Sequence, residues 1–228
     1  MKLLIGNKNY SSWSMRPWVL LTQFDLPFEE VRIPFDGFSG DSRFKAAVAE
    51  RSPAGKVPVL VEDDGFAVWD TLAIAEYVAE KFPDKALWPR DARRRARARS
   101  VCAEMHSGFG TMRDVFGMNI EAALPEVGAR VLADNAAARA DLARMVALWQ
   151  EALAASGGPF LFGEFSIVDA YFAPVVMRMV TYALPVPADV AAYMERALAA
   201  KGTAAWIRDA LEEKEFLQFE EDYRTSRD

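Results

Sequence analysis

The spacing of apolar positions divides this chain into two regimes. Up to about residue 82, short apolar runs with a two-residue period alternate with helical stretches; beyond about residue 90, Ala, Leu and Met recur at helical spacing almost throughout. In the first regime Lys2–Ile5 reads as a short buried strand, residues 7–12 as a polar loop, and residues 15–24 as an amphipathic helix ending before Pro27. Residues 29–33 alternate like a second strand. A stretch rich in Gly, Asp and Ser over residues 35–41 leads into a short helix over residues 43–50, which Pro53 and Gly55 stop. Residues 57–62 form a β-branched run, Asp63-Asp64-Gly65 is a hairpin signal, residues 66–69 are the returning strand, and Thr71–Lys81 is an amphipathic helix. The order βαβ, α, ββα predicts an α/β domain over residues 1–82.

Pro83 and Pro89 bracket a linker, residues 83–90. Beyond it the periodicity predicts helices over residues 91–118, 125–155, 166–183, 188–201 and 202–213, with Gly157-Gly158-Pro159 as the clearest break. An all-α domain over residues 91–228 follows. The acidic stretch 212–222 reads as a solvated tail.

Composition narrows the function classes. Of 228 residues, 52% are hydrophobic, which is ample for a buried core. No apolar stretch approaches the ~20 residues needed to span a bilayer, and the apolar run in MKLLIGNKNY is too short for a secretory leader, so a cytoplasmic protein without membrane partners is expected. One Cys and one His, Cys102 and His106, are too few for a four-ligand zinc site, and no metal is expected. A net charge of -6 speaks against nucleic acid as a partner. Arg93, Arg94, Arg95, Arg97 and Arg99 spread around a helix and read as a solvated face, with a basic mouth for anionic substrates as the sharper alternative.

Three places could carry chemistry. Ser11, Ser12 and Ser14 sit where the first strand hands over to the first helix, so a hydroxyl there, backed by free backbone N–H groups, can cap the helix or donate to a sulfur anion. A free thiol is mostly protonated at neutral pH, and a protein that uses one as a nucleophile must supply such donors or positive potential. Asp70-Thr71 offers a carboxylate and a hydroxyl at the start of another helix, and Val57-Pro58 opens a strand at a position that cannot donate to a ladder.

Four segments, Tyr10-Ser11-Ser12-Trp13-Ser14-Met15-Arg16, Gly55-Lys56-Val57-Pro58-Val59-Leu60, Trp69-Asp70-Thr71-Leu72-Ala73-Ile74-Ala75-Glu76-Tyr77 and Phe162-Gly163-Glu164-Phe165-Ser166-Ile167-Val168-Asp169, together resemble the cytosolic glutathione transferase family, in its serine-type classes zeta and tau. The resemblance implies a thioredoxin-like domain with a mixed four-stranded sheet followed by a helical domain, glutathione as co-substrate, a homodimer, and transfer of glutathione to a small hydrophobic electrophile. It assigns the thiolate-stabilising hydroxyl to Ser11, five residues before Arg16, with Ser12 as the alternative. Asp70 and Thr71 would hold the γ-glutamyl end, Val57 before Pro58 the cysteinyl part, and Lys56 with Arg43 the glycyl carboxylate. Trp13, Met105, His106, Phe109, Met112 and Arg113 would line the second-substrate pocket. Arg16 itself reads as a buried helix residue paired to a carboxylate, and Ser166 with Asp169 as a structural capping box. Trp13 stands where a zeta-type motif carries cysteine, which weakens a maleylacetoacetate isomerase reading. Glutathione-dependent isomerisation or peroxide reduction, and a non-catalytic binding protein on this fold, remain the alternatives.

Overall fold

In the computed structural model, which describes residues 1–227, β1 (Lys2–Ile5) runs parallel to β2 (Glu29–Arg32) and antiparallel to β3 (Val59–Val61). β4 (Ala67–Trp69) completes the mixed sheet in the order β2-β1-β3-β4. The two-residue period sorts the side chains. Leu3, Ile5 and Leu60 join the main core with α1 (Ser12–Gln23) and α3 (Thr71–Lys81), while Leu4, Val59 and Val61 join a smaller cluster with Phe44 and Val48 of α2 (Arg43–Ala49). This is the thioredoxin-like arrangement the sequence implies, and a helical part follows it.

That part comprises α4 (Ala92–Ser107), α5 (Gly110–Val115), α6 (Pro125–Asp134), α7 (Ala136–Ser156), α8 (Ile167–Thr181), α9 (Ala188–Ala199) and α10 (Lys201–Glu213), with a 3-10 turn at Gln218–Glu220. α8 is apolar on nearly every side and buried from Ile167 through Met179, because α1, α4, α9 and α10 all pack on it. α1 also packs against α10, closely enough that a Cβ on Gly202 would stand 2.4 Å from the Val19 carbonyl oxygen. The sheet-bearing part and the helical part therefore share one continuous core. No helix among the described residues is long and apolar enough to cross a membrane.

Several boundaries differ from the periodicity reading. The run over residues 91–118 is two helices: Gly108, where a Cβ would stand 2.8 Å from the Glu104 carbonyl oxygen, and Phe109, held at φ 54° with its ring buried, end α4 and redirect the chain into α5. The run over residues 125–155 is also two, because the Asn135 side chain caps α7 by accepting from Ala138 N (3.0 Å). Its periodicity passes through the break since both helices bury a face in one core. α1 starts at Ser12, three residues earlier than expected, because Pro17 removes a single backbone donor without ending the helix. β3 begins only at Val59, after a cis Val57-Pro58 peptide.

The acidic tail is the largest correction. Residues 212–222 are not a solvated run; they fold back over the loop of residues 7–12, which is buried and whose donors need acceptors. Glu213 accepts from the backbone N–H of Lys8 (2.8 Å) and Asn9 (3.3 Å), and Glu215 accepts from the Asn7 side chain. Glu221, 5% exposed, accepts from the Tyr10 hydroxyl (2.8 Å) and Asn119 Nδ2 (2.8 Å) and pairs with Arg224 (2.7 Å). Burial pushes the Tyr10 phenol up to about 12, which keeps it a donor.

The capping box is present. Asp169 accepts from Ser166 N (2.9 Å), Leu161 N (3.2 Å) and the Tyr193 hydroxyl (3.3 Å), while Ser166 Oγ accepts from Val168 N (3.3 Å). Asp169→Ala strands these donors in the core, and a loss of roughly 2–4 kcal/mol in folding free energy is expected from urea unfolding; an unchanged midpoint would contradict this account of α8. Glu221→Ala should cost a similar amount, roughly 2–4 kcal/mol, by leaving Asn119 Nδ2 without its acceptor and Arg224 without its carboxylate, while the Tyr10 hydroxyl keeps only the Glu215 carbonyl (3.2 Å). Had the tail been a solvated run, the same substitution would leave the midpoint where it was.

Candidate active site

The start of α1, the segment before β3, the start of α3 and the end of α4 converge on a cleft of about 380 Å3. One wall carries Lys56, Val57, Pro58, Asp70 and Thr71, flanked by Ala54 and Trp69; the other carries Trp13, His106 and Arg113. The fold thus brings together eight of the residues singled out from sequence.

Asp70 sits at φ 74° and ψ 136°, a backbone region that L residues rarely adopt and that tends to persist at functional sites. Its Oδ1 caps α3, accepting from Leu72 N (2.8 Å) and Ala73 N (3.4 Å). Its Oδ2 faces His106 Nε2 at 3.4 Å. The Thr71 hydroxyl turns inward to the Tyr171 hydroxyl (2.8 Å), which in turn lies 2.7 Å from His106 Nδ1. Donation in one direction satisfies every atom: Thr71 to Tyr171, Tyr171 to Nδ1, and an Nε2–H facing Asp70. Burial pushes the Tyr171 phenol up to about 12, so it stays protonated within this chain. His106 also meets the Trp13 ring edge-on with centroids 5.3 Å apart, and the Arg16 guanidinium stacks 4.1 Å from the same ring.

The serines lie immediately before Trp13 at the N-terminal end of α1; both are buried and neither lines the cleft, and Ser11, the N-cap residue, makes no capping bond. Ser11 Oγ donates to Ser14 Oγ (2.7 Å), which also accepts from Gly6 N (3.1 Å). Ser12 Oγ accepts from Arg178 Nη2 (3.1 Å). Arg16 is buried as expected, but its partners are carbonyls rather than a carboxylate: Nε donates to Tyr171 O (3.0 Å) and Nη1 to Ser12 O (3.0 Å). Burial pulls its guanidinium down to about 10.

Other expected residues lie elsewhere. Arg43 is 93% exposed and pairs with Asp36 (3.0 Å) outside the cleft. Met105, Phe109 and Met112 are core residues, because the break at Gly108 turns that face of α4 and α5 inward. The arginine run is only partly solvated: Arg94 bonds the carbonyls of Ser156 and Phe162, Arg95 those of Pro89 and Arg90, and Arg99 forks onto Glu76. Cys102 is a free, buried thiol. Sequence reasoning assigned no site role to Trp69, which opens one recognised segment, or to Ala54, which precedes another, and it missed Tyr171 and Arg178. The signal for the last two was available, since Tyr171 and Arg178 stand seven apart, and so share one face, in a helix whose residues between them are all apolar.

Two family descriptions match this chain: glutathione S-transferase N-terminal domain over residues 10–81, and glutathione S-transferase C-terminal domain over residues 121–209. The chain belongs to the glutathione S-transferase family. The maleylacetoacetate isomerase of Pseudomonas aeruginosa is 37% identical over 103 residues, 45% of this chain and 47% of that protein. The probable maleylacetoacetate isomerase of Caenorhabditis elegans is 34% identical over 104 residues, 46% of this chain and 45% of that one. The match spans about half the length of these relatives. A glutathione transferase homolog from Burkholderia gl BGR1, solved with bound glutathione, superposes with a TM-score of 0.68 at 24% identity, covering 92% of this chain and 97% of that one. It shares the fold.

In this glutathione S-transferase relative, Tyr171→Phe would leave the buried Thr71 hydroxyl without its partner and His106 Nδ1 without its donor. A stability loss of about 1–3 kcal/mol is expected, measured by thermal or urea unfolding, and an unaltered transition would remove this hydrogen-bonded chain from the account.

Proposed function

We propose that the cleft takes up glutathione and that the protein is a glutathione transferase, stabilising the thiolate for attack on a small hydrophobic electrophile. The observation that carries this reading is the convergence of Lys56, Val57, Asp70 and Thr71 on one wall, facing Trp13, His106 and Arg113 on the other. Asp70 offers a carboxylate to the γ-glutamyl ammonium, and the start of α3 offers positive potential to the neighbouring carboxylate. The Val57 backbone can pair with the cysteinyl part as an added strand would. Lys56, exposed at the rim, answers the glycyl carboxylate; Arg43 is committed to Asp36 and takes no part. The thiol then meets the N-terminal end of α1, where the serine hydroxyls stand. Catalysis comes from a thiolate held ionised by these donors and from its alignment with an electrophile resting against Trp13.

Glutathione-dependent isomerisation is the second reading, favoured by the names of the two relatives above. Trp13, in place of the cysteine of zeta-type motifs, weighs for conjugation. Homodimerisation in the cytoplasm belongs to the same proposal, and the exposed Phe66, whose ring meets that of Tyr77, offers apolar surface to a second copy.

An ultraviolet difference titration with glutathione at neutral pH tests the reading, because thiolate absorbance reports binding and ionisation together. A saturable thiolate signal is expected. Asp70→Asn, which keeps an oxygen for the α3 cap but loses the charge, should weaken glutathione binding about 10- to 100-fold, given about 1.5–3 kcal/mol for a hydrogen bond to a charged group. Unchanged affinity would take Asp70 out of the site, and no thiolate signal from folded protein would defeat the proposal.

A further inference from the structure

Two buried guanidiniums stand at the foot of α1, and neither has a carboxylate within ion-pair distance among the described residues. Arg16 is 3% exposed and Arg178 is 6% exposed. Buried charges are ordinarily paired, because removing an ion from water without an opposite charge is costly. The Arg178 donors instead go to the Phe116 carbonyl, the Arg113 carbonyl (3.2 Å) and Ser12 Oγ (3.1 Å). Its charged surroundings raise the cost further. Arg16 from α1 and Arg113 from α5 are like charges; Tyr182 beyond α8 is a phenol; Glu220 from the 3-10 turn is the one acidic group among these, and burial pushes it up to about 7. Burial and the neighbouring arginines pull Arg178 down to about 9, which leaves it charged at neutral pH. An excess of buried positive charge of this kind is relieved by an anion.

The two candidate serines differ in where their hydrogens can go. Ser11 donates to Ser14, so its hydrogen is engaged. Ser12 accepts from Arg178 and has no acceptor for its own hydrogen among the described residues. A guanidinium donating to a hydroxyl oxygen draws electron density from it and strengthens the hydroxyl as a donor.

We propose that Arg178 is a positioning residue of the thiol site: it holds the Ser12 oxygen as its acceptor, leaves the Ser12 hydroxyl hydrogen for the sulfur of bound glutathione, and so makes Ser12 rather than Ser11 the thiolate donor. The inference rests on the glutathione reading above. In the step it assists, the S–H bond breaks heterolytically, the electron pair stays on sulfur and the proton leaves to water. No redox partner is involved.

The test is the pH midpoint of the thiolate absorbance of bound glutathione, followed in the wild type and in Arg178→Met, Arg178→Lys, Ser12→Ala and Ser11→Ala. Arg178→Met and Ser12→Ala should each raise the midpoint by about one pH unit or more, an about tenfold smaller thiolate fraction below it. Arg178→Lys should recover part of the shift, and the double variant should move it little beyond Ser12→Ala alone. A merely structural role for Arg178 would lower the melting temperature without moving this midpoint. If Arg178→Met does not fold, Ser12→Ala, which leaves the arginine in place, carries the test. A wild-type signal whose midpoint is the same in these variants overturns this inference alone, as does a Ser11→Ala shift larger than that of Ser12→Ala. Absence of the signal in the wild type removes the glutathione reading and this inference with it.

Discussion

The constraint on which the rest of the molecule depends is the burial of a polar loop. Residues 7–12 connect β1 to α1 under the rest of the chain, and every donor and acceptor they take out of water must be answered from within. The answers come from far along the sequence. Asn7 Oδ1 accepts from Phe35 N (2.7 Å), and Asn9 Oδ1 accepts from the N–H groups of Ile120 (2.8 Å) and Glu121 (2.9 Å). The buried Lys8 ammonium sits between Asp209 (2.7 Å) and Glu30 (2.8 Å), above the Trp18 ring. A loop satisfied in this way is fixed in position, and it fixes the N-terminal end of α1. Tail, α10 and the segment after α5 all meet there, which is why the sheet-bearing and helical parts behave as one core rather than two.

That arrangement also explains the electrostatics of the cleft. The chain carries a net charge of -6, yet the start of α1 has no acidic residue in its first turn and is backed by Arg16 and Arg178. The tail carboxylates of Glu213, Glu215 and Glu221 are turned toward the donors of the loop and are largely used up by them, which leaves Asp70 on the cleft wall and Glu220, pushed up to about 7 by burial, as the acidic groups acting on Arg16 and Arg178. Net charge and the charges gathered at the foot of α1 therefore have opposite signs, which is the condition the proposed thiolate site requires.

How much of this was legible follows from what sequence periodicity can report. Strand and helix types, the sheet-bearing half and the Ser166–Asp169 box rest on local pattern, which is written in neighbouring residues, whereas the cleft wall from Lys56 to Thr71 was legible through the resemblance of its segments to a known family. The breaks at Gly108 and Asn135 were not legible, because helices on either side bury faces in the same core and the apolar spacing continues across them. The tail was misread for a related reason: Glu213, Glu215 and Glu221 look solvated until the loop they serve is known to be buried. The resemblance assigns Arg43 to the glycyl carboxylate, whereas in the structure it is exposed, pairs with Asp36 seven residues earlier and does not line the cleft. Met105, Phe109 and Met112 share a helical face, and a face alone does not say whether it looks into a cleft or a core.

Arg178 shows where the demands of stability and chemistry diverge. Apart from Asp169, Tyr171, Thr181 and Arg178 itself, α8 is apolar along its buried length, and an apolar side chain of similar size at position 178 would avoid the desolvation of a guanidinium crowded by Arg16 and Arg113. Its three hydrogen-bond acceptors are two carbonyls and one serine oxygen, so it gains no ion pair to offset that cost. A charge retained under those conditions is most simply accounted for by a partner that arrives with the substrate. Under the proposed function the thiol of bound glutathione would be such a partner: it is neutral before ionisation and negative after, so the buried cations would favour the ionised form while contributing little to holding the neutral thiol. That difference between two states of one bound group is what lowers a thiol's pKa and raises the fraction present as nucleophile, whereas equal attraction to both would only tighten binding.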